Sequence, residues 1–212
     1  MRSIVFDSET TGLRPGNICQ LAYIIVDGGA PKGRNFFFKV DYIEPGAINV
    51  HGYTVEMIDR LSGGRRFGES AGTIYDDFKS CPLWIAHNFS FDNLFIYTEF
   101  KRAGMYIKAE NSFCTMRHFT QIMQLKPVSQ NRAAGQFKYP SLSELIKYVN
   151  LSDKEIYDMI FEAFGGDGAG LNRHDARYDC AATYLCYKKG AASGPAPDRD
   201  FPRAPRPAID NM

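Results

Sequence analysis

Ile4-Val5-Phe6-Asp7-Ser8-Glu9-Thr10-Thr11-Gly12 runs from three apolar residues into a polar end closed by glycine. Ile4 to Phe6 reads as a short buried strand, and Gly12 with Pro15-Gly16 turns the chain after it. Asp7 and Glu9 stand two apart at the strand's end. Side chains alternate along a strand, so both carboxylates leave the same face. Two like charges held that close repel, and each raises the other's pKa. A cation between them relieves the repulsion. Taken alone, the pattern also fits a strand edge running into a solvated turn.

The chain of 212 residues suits one domain, or one domain with a tail. Hydrophobic residues make up 44% and aromatic residues 14%, enough for a substantial core and unlike a disordered chain. A net charge of +1 sets up no bulk field for nucleic acid, so phosphate binding must come from a local cluster or a metal. The five cysteines (Cys19, Cys81, Cys114, Cys180, Cys186) are odd in number and form no Cys-x-x-Cys. They argue against a disulfide framework or zinc site and for reduced, buried thiols in the cytoplasm. No long apolar run precedes Asp7, and no stretch approaches the roughly 18 apolar residues of a membrane span. The expectation is a soluble cytoplasmic protein with no signal peptide and no membrane partner.

Along the chain, Ile18–Val26 and Asn35–Val40 are rich in β-branched and aromatic residues, and Asp27-Gly28-Gly29 between them suggests an antiparallel hairpin. A loop is expected through Pro45-Gly46, then a short helix capped by Thr54 and ended by Gly63-Gly64. Further expected elements are a helix over Glu69–Lys79, a buried strand over Leu83–Ala86, a helix over Phe91–Arg102 and a strand over Ser112–Met116. Ser141-x-x-Glu144 and Ser152-x-x-Glu155 read as capping boxes opening two more helices. Gly165–Gly170 follows a helix rather than a strand, so it reads as a flexible connection and not a nucleotide loop. His174–Lys188 is the last expected helix. Strands and helices alternating in this order predict an α/β layered domain with a mixed sheet. From Gly190 the composition turns to Pro, Ala, Arg and Asp, so a domain over 1–189 and a disordered tail over 190–212 are expected.

Two more polar clusters accompany the first. Ala86-His87-Asn88-Phe89-Ser90-Phe91-Asp92 begins at a strand's C-terminal end, where ligands gather in open α/β sheets. Asp92 also suits the first turn of the next helix on dipole grounds alone. In His174-Asp175-Ala176-Arg177-Tyr178-Asp179 the two aspartates share a helix face, while His174 meets Asp179 only if it lies just before the helix. Spacing does not choose between Asp175 and Asp179, and Asp175 also fits a cap.

Together, Phe6-Asp7-Ser8-Glu9-Thr10-Thr11-Gly12, His87-Asn88-x-x-Phe91-Asp92 and His174-x4-Asp179 resemble the three motifs of the DEDDh, or DnaQ-like, 3′–5′ exonuclease family. His51-Gly52-Tyr53-Thr54, Phe113–Met116 and Tyr139–Leu145 add to the likeness, which spans residues 4 to about 187. The tyrosine-type sister family would carry a tyrosine where Asp175 stands, so the histidine type is favoured.

The resemblance implies a ribonuclease-H-like fold: a mixed five-stranded sheet with helices on both faces. It implies that Asp7, Glu9, Asp92 and Asp179 hold two divalent ions and that His174 is the general base. Oxygen-only ligands suit Mg²⁺ or Mn²⁺ rather than zinc. An imidazole with an ordinary pKa of about 6.5 is a suitable proton acceptor near neutrality. Asp175, if it reaches the site, is expected in a supporting position. By the same likeness, Thr10 and Thr11 contact the terminal nucleotide and Leu13 wedges against the last bases. Phe89 and Phe91 fit either base stacking or core packing. Lys126, Arg132 and Lys138 lie on an acid-free stretch that reads either as a phosphate-contacting loop or as a solvated one.

The expected partner is nucleic acid with a free 3′ end, single-stranded or frayed DNA foremost and RNA as the alternative. A non-catalytic, polymerase-associated binding module is the other class considered. The Pro-rich tail leaves room for a protein partner.

Overall fold

The computed structural model describes residues 1–14, 16–127, 137–166 and 174–191. Five strands form one sheet in the order β3-β2-β1-β4-β5. β1 (Ser3–Thr10), β2 (Ile18–Val26) and β3 (Lys32–Phe37) are antiparallel neighbours. β4 (Leu83–Ala86) pairs parallel with β1, and β5 (Asn111–Cys114) parallel with β4. The mixed sheet is the one expected. The switch from antiparallel to parallel falls at β1, whose C-terminal end carries Asp7 and Glu9. A crevice beyond such strand ends is where open α/β sheets bind ligands.

Strand parity sorts the core into two layers. Ile4 and Phe6 face α3 (Phe67–Lys79) and α4 (Phe89–Arg102) with Tyr23, Phe78, Trp84 and Phe95. There Phe6 meets Phe78, Trp84 and Phe89 edge-on at 5.2, 6.1 and 5.9 Å. Val5, with Ala22, Ile24 and Ile85, faces α6 (Leu142–Tyr148), α7 (Asp153–Phe164) and α8 (Ala176–Ala191). Asp7 and Glu9 continue the row begun by Val5, so they emerge on the α8 side. Helices on both faces complete the expected layers.

Several elements differ from their sequence reading. β1 reaches Thr10, so both carboxylates sit within the ladder. β3 starts at Lys32 and stops at Phe37; Phe38–Val40 leave it, although Phe38 N–H still donates to the Cys19 carbonyl at 2.9 Å. The loop expected at Pro45-Gly46 is a helix, α1 (Pro45–His51), with proline in its first turn, where its missing N–H costs nothing, and a left-handed Gly52 at φ 79° after it. α2 (Val55–Ser62) has the expected cap, Thr54 Oγ1 accepting from Met57 N–H at 3.3 Å. The strand expected through Met116 stops at Cys114, and Thr115 begins α5 (Thr115–Met123) with no loop between.

Both capping boxes are present, with Ser141 and Ser152 N–H each donating to the Glu three residues on at 2.8 Å. α8 begins at Ala176 rather than His174 and continues through Gly190 to Ala191, past the expected boundary at 189. The expected tail from residue 192, Arg132 of the basic stretch and most of the Gly165–Gly170 connection lie outside the described residues. All five cysteines are free and buried, as expected. No helix among the described residues is long and apolar enough to cross a membrane.

Candidate active site

Glu9 is 8% exposed and Asp92 3%, while Asp7 is half-buried. Asp92 lies in the first turn of α4, and Ser8, on the opposite strand face from Asp7 and Glu9, ties it to β1. The Ser8 backbone N–H and hydroxyl both donate to Asp92 Oδ1, at 3.1 and 2.7 Å. That holds the α4 carboxylate against the strand and leaves Oδ2 unengaged by Ser8.

Asp179 comes from the first turn of α8, and His174 from the turn just before it, at φ 72°. The left-handed turn lets His174 escape the helical phase that would have pointed it away from Asp179. His174 Nδ1 is 3.9 Å from Asp179 Oδ2, and ligand atoms of Glu9, His174 and Asp179 lie within 4.8 Å of one another.

The electrostatics are those of anions crowded in a poorly hydrated place. Burial raises Asp7 well above the ordinary carboxylate range, and Asp92, Asp179, Glu9 and Asp175 add to it. Burial pushes Glu9 up to about 9, with Asp179, Asp92 and Asp175 acting in the same direction. Asp92 is raised to about 7, burial outweighing the two bonds from Ser8 that pull it down. Among the described residues, the charges that act most on Asp7 and Glu9 are carboxylates. A cluster of carboxylates of this kind fits hard divalent ions, which would supply countercharge.

Asp175 has a different fate. Its Oδ1 accepts from Gln20 Nε2 at 3.1 Å and from Arg177 N–H and Nε at 2.9 Å each. Its Oδ2 accepts from the Tyr53 hydroxyl at 3.0 Å and Arg177 Nη2 at 2.7 Å. Burial raises its pKa, but Arg177 and Gln20 outweigh that and hold it below the usual value. With its oxygens so occupied, Asp175 caps α8 and takes the supporting position, and Asp179 joins the acidic cluster.

His51 ties the end of β1 to the turn before α2. Its Nδ1 accepts from Tyr53 N–H at 3.0 Å, so Nε2 carries the proton and donates to the Thr10 carbonyl at 3.2 Å. Burial lowers its pKa, keeping it neutral. His87, from the second motif, is likewise a half-buried neutral joint, lowered to about 4 by burial of its ring. Its Nε2 donates to the Pro140 carbonyl at 3.1 Å, and its Nδ1 pairs with the Thr115 hydroxyl at 2.9 Å.

Among the expected substrate contacts, the Thr10 hydroxyl donates to the Gly12 carbonyl at 3.0 Å, and Thr11 Oγ1 accepts from Asn17 N–H at 3.0 Å. Both threonines therefore shape the turn that carries Leu13, which is 85% exposed. Phe91 is half-buried with its ring 4.8 Å from Phe95, on the flank of α4. Phe89 is buried against Phe6, which settles it as core. Lys138 pairs with Glu144 and Lys126 is exposed. Sequence reasoning passed over Ser8, Gln20 and Arg177. Ser8 stood inside the motif as its spacer, and Arg177 inside the third motif.

The family model described as "RNase_T: Exonuclease" matches residues 4–187. The chain is 31% identical over 141 residues to the DNA polymerase III subunit epsilon of Pasteurella multocida (strain Pm70), covering 61% of this chain and 54% of that one. It is 30% identical over 140 residues to the same subunit of Haemophilus influenzae (strain ATCC 51907 / DSM 11121 / KW20 / Rd), covering 61% and 53%. The chain thus spans about half the length of the curated relatives it matches. Among solved structures, E. coli exonuclease I in complex with a dA16 oligonucleotide superposes with a TM-score of 0.63 at 21% identity, covering 90% of this chain and 41% of that one. An exonuclease I structure bound to product gives 0.62 at 21%, covering 90% and 43%. These structures share the fold. The matched span takes in the three acidic motifs and the mixed sheet that brings them together, and so this chain belongs to the exonuclease family, among the DnaQ-like DEDD members of the ribonuclease-H-like superfamily.

Proposed function

We propose that this chain is a metal-dependent 3′–5′ exonuclease that removes 5′-mononucleotides from the 3′ end of single-stranded or frayed DNA. The observation that carries the reading is that the carboxylates of Asp7, Glu9, Asp92 and Asp179, from β1, α4 and α8, are close enough to raise one another's pKa. The epsilon-subunit relatives and the exonuclease I complexes with oligonucleotides support DNA as the substrate class.

Asp7, Glu9, Asp92 and Asp179 would hold two divalent ions, Mg²⁺ or Mn²⁺, beside His174. When bound, such a pair supplies charge for the attacking and leaving oxygens of an in-line displacement. The protein does the rest. Ser8 keeps the Asp92 carboxylate turned toward β1, and the turn at His174 presents its imidazole, 54% exposed, to the open side of the cluster. From there His174 takes the proton of the attacking water, a histidine role worth about 10²–10⁴ in rate. Thr10 and Thr11 bring the backbone of their turn to the 3′-terminal nucleotide. Leu13 stands beyond them as an apolar wedge that keeps a frayed end open, and Phe91 offers a ring edge to the penultimate base.

Digestion of 3′-labelled and 5′-labelled DNA and RNA oligomers with Mg²⁺, Mn²⁺ or chelator tests polarity, sugar preference and metal need together. Mononucleotide release from the 3′ end of DNA, abolished by chelator, is expected. Asp7→Ala should remove hydrolysis while leaving the circular dichroism spectrum unchanged. Metal-dependent cleavage surviving in that variant refutes the assignment.

A further inference from the structure

Gln20 is fully buried and lies directly across the β1–β2 ladder from Glu9, on the same sheet face. Its amide is fully employed. Oε1 accepts from Ala176 N–H, the first residue of α8, at 3.1 Å, and Nε2 donates to Asp175 Oδ1 at 3.1 Å and to Asn35 Oδ1 at 3.0 Å. One side chain therefore fastens the start of α8 to the strand neighbour of Glu9. Asp175 is closed from the other sides by Arg177 and by Tyr53. Tyr53 belongs to the turn whose His51 holds the Thr10 carbonyl at the end of β1. The knot thus joins β1, β2, the turn before α2 and α8. It flanks the two residues α8 contributes to the site: His174 immediately precedes Asp175, and Asp179 follows one helical turn later.

We infer that Gln20, clasping Asp175 and the first N–H of α8, is a positioning residue that sets the separation between Glu9 on the sheet and His174 and Asp179 on the helix. This rests on the nuclease reading of the same site. A core filler needs only volume, and an apolar residue would serve at a fully buried position between strand and helix. An amide with both ends committed fixes direction as well as distance. Direction matters because small divalent ions accept little error in ligand placement, and catalytic groups must be held to within about 0.5 Å. A slip of α8 along the sheet, which apolar packing alone resists weakly, moves Asp179 and His174 together relative to Glu9 and Asp7.

Gln20→Leu keeps the volume and removes every bond. Two readings distinguish positioning from plain stability: Mn²⁺ binding by titration calorimetry, and kcat against KM on a labelled DNA oligomer, both well below the melting temperature. The expected result is a folded protein whose Mn²⁺ dissociation constant rises and whose kcat falls, each by about 10–100-fold, with KM little changed. A lowered melting temperature with unaltered Mn²⁺ binding and kcat overturns the inference and leaves the nuclease reading standing. If Gln20→Leu shows no cooperative melt, Gln20→Met decides on the same two readings, since an unbranched thioether fills the same space and likewise drops the amide's bonds to Ala176, Asp175 and Asn35. If the unaltered protein takes up no Mn²⁺, the nuclease reading falls, and this inference with it.

Discussion

Ser8 spends both of its donors on one oxygen of Asp92, so the residue between the two strand carboxylates orients a third from another element. Strand parity put Asp7 and Glu9 on one face from the sequence alone, whereas Asp92, His174 and Asp179 were named by resemblance to a family. Ser8 and Gln20 were not legible in the sequence, since their partners lie 84 and 155 residues away and no local pattern announces the pairing. Spacing left Asp175 and Asp179 open and the resemblance alone favoured Asp179; in the fold it is Asp175 that meets Arg177 and Gln20. His174 carries the sharpest prediction at this scale. His174→Ala should lower kcat by about 10²–10⁴ while Mn²⁺ binding by calorimetry stays nearly unchanged, as befits a proton acceptor. If Mn²⁺ binding is lost instead, the imidazole is a ligand, which its closeness to Glu9 and Asp179 would also allow.

Among the elements, those with explicit stop and start signals agreed with the sequence. Thr54, Ser141 and Ser152 open helices as written, through side chains that accept from N–H groups three residues on. The two helices that escaped notice lack that grammar. α1 has no side-chain cap and buries no residue, so its Pro45-Gly46 opening looks like a turn. α5 follows β5 without an intervening residue, and extended Cys114 serves as its N-cap without a side-chain bond. Its packing shows only in three dimensions. A Cβ placed on Gly190 of α8 would come 2.2 Å from Phe119 Cζ of α5. Replacing a helical glycine usually stabilises by up to about 1 kcal/mol. Here overpacking wins: Gly190→Leu should cost about 1–3 kcal/mol by urea denaturation, with hydrolysis retained well below the melting temperature.

For the whole molecule, the crowded carboxylates make stability depend on pH and on divalent ions. Asp92 and Glu9 titrate at about 7 and about 9 in the fold, against ordinary values of 3.8 and 4.5. Between those limits the folded state holds protons that the unfolded chain has released. The contribution of these groups to stability is therefore fully present below the ordinary values and is lost as pH rises toward about 9. The metal-free protein should accordingly melt at a lower temperature at pH 9 than at pH 6 in scanning calorimetry. Added Mg²⁺ should raise the melting temperature more at the higher pH, because ion binding needs the ionised carboxylates. An equal gain at both pH values would show that these groups do not bind the ion.

β1 is hydrogen-bonded on both sides, to β2 along its whole length and to β4 over its first half, while β3 and β5 stand at the rims. Thermal opening of a sheet begins where strands have a single neighbour and reaches the middle last. Asp7 and Glu9 lie beyond the stretch paired to β4, on the part of β1 that β2 alone holds, and His174 and Asp179 sit at the start of a helix that can shift as a unit. Both halves of the site can therefore lose alignment while Ser3 to Val5, held by strands on either side, stay in place, so loss of activity need not signal loss of the fold.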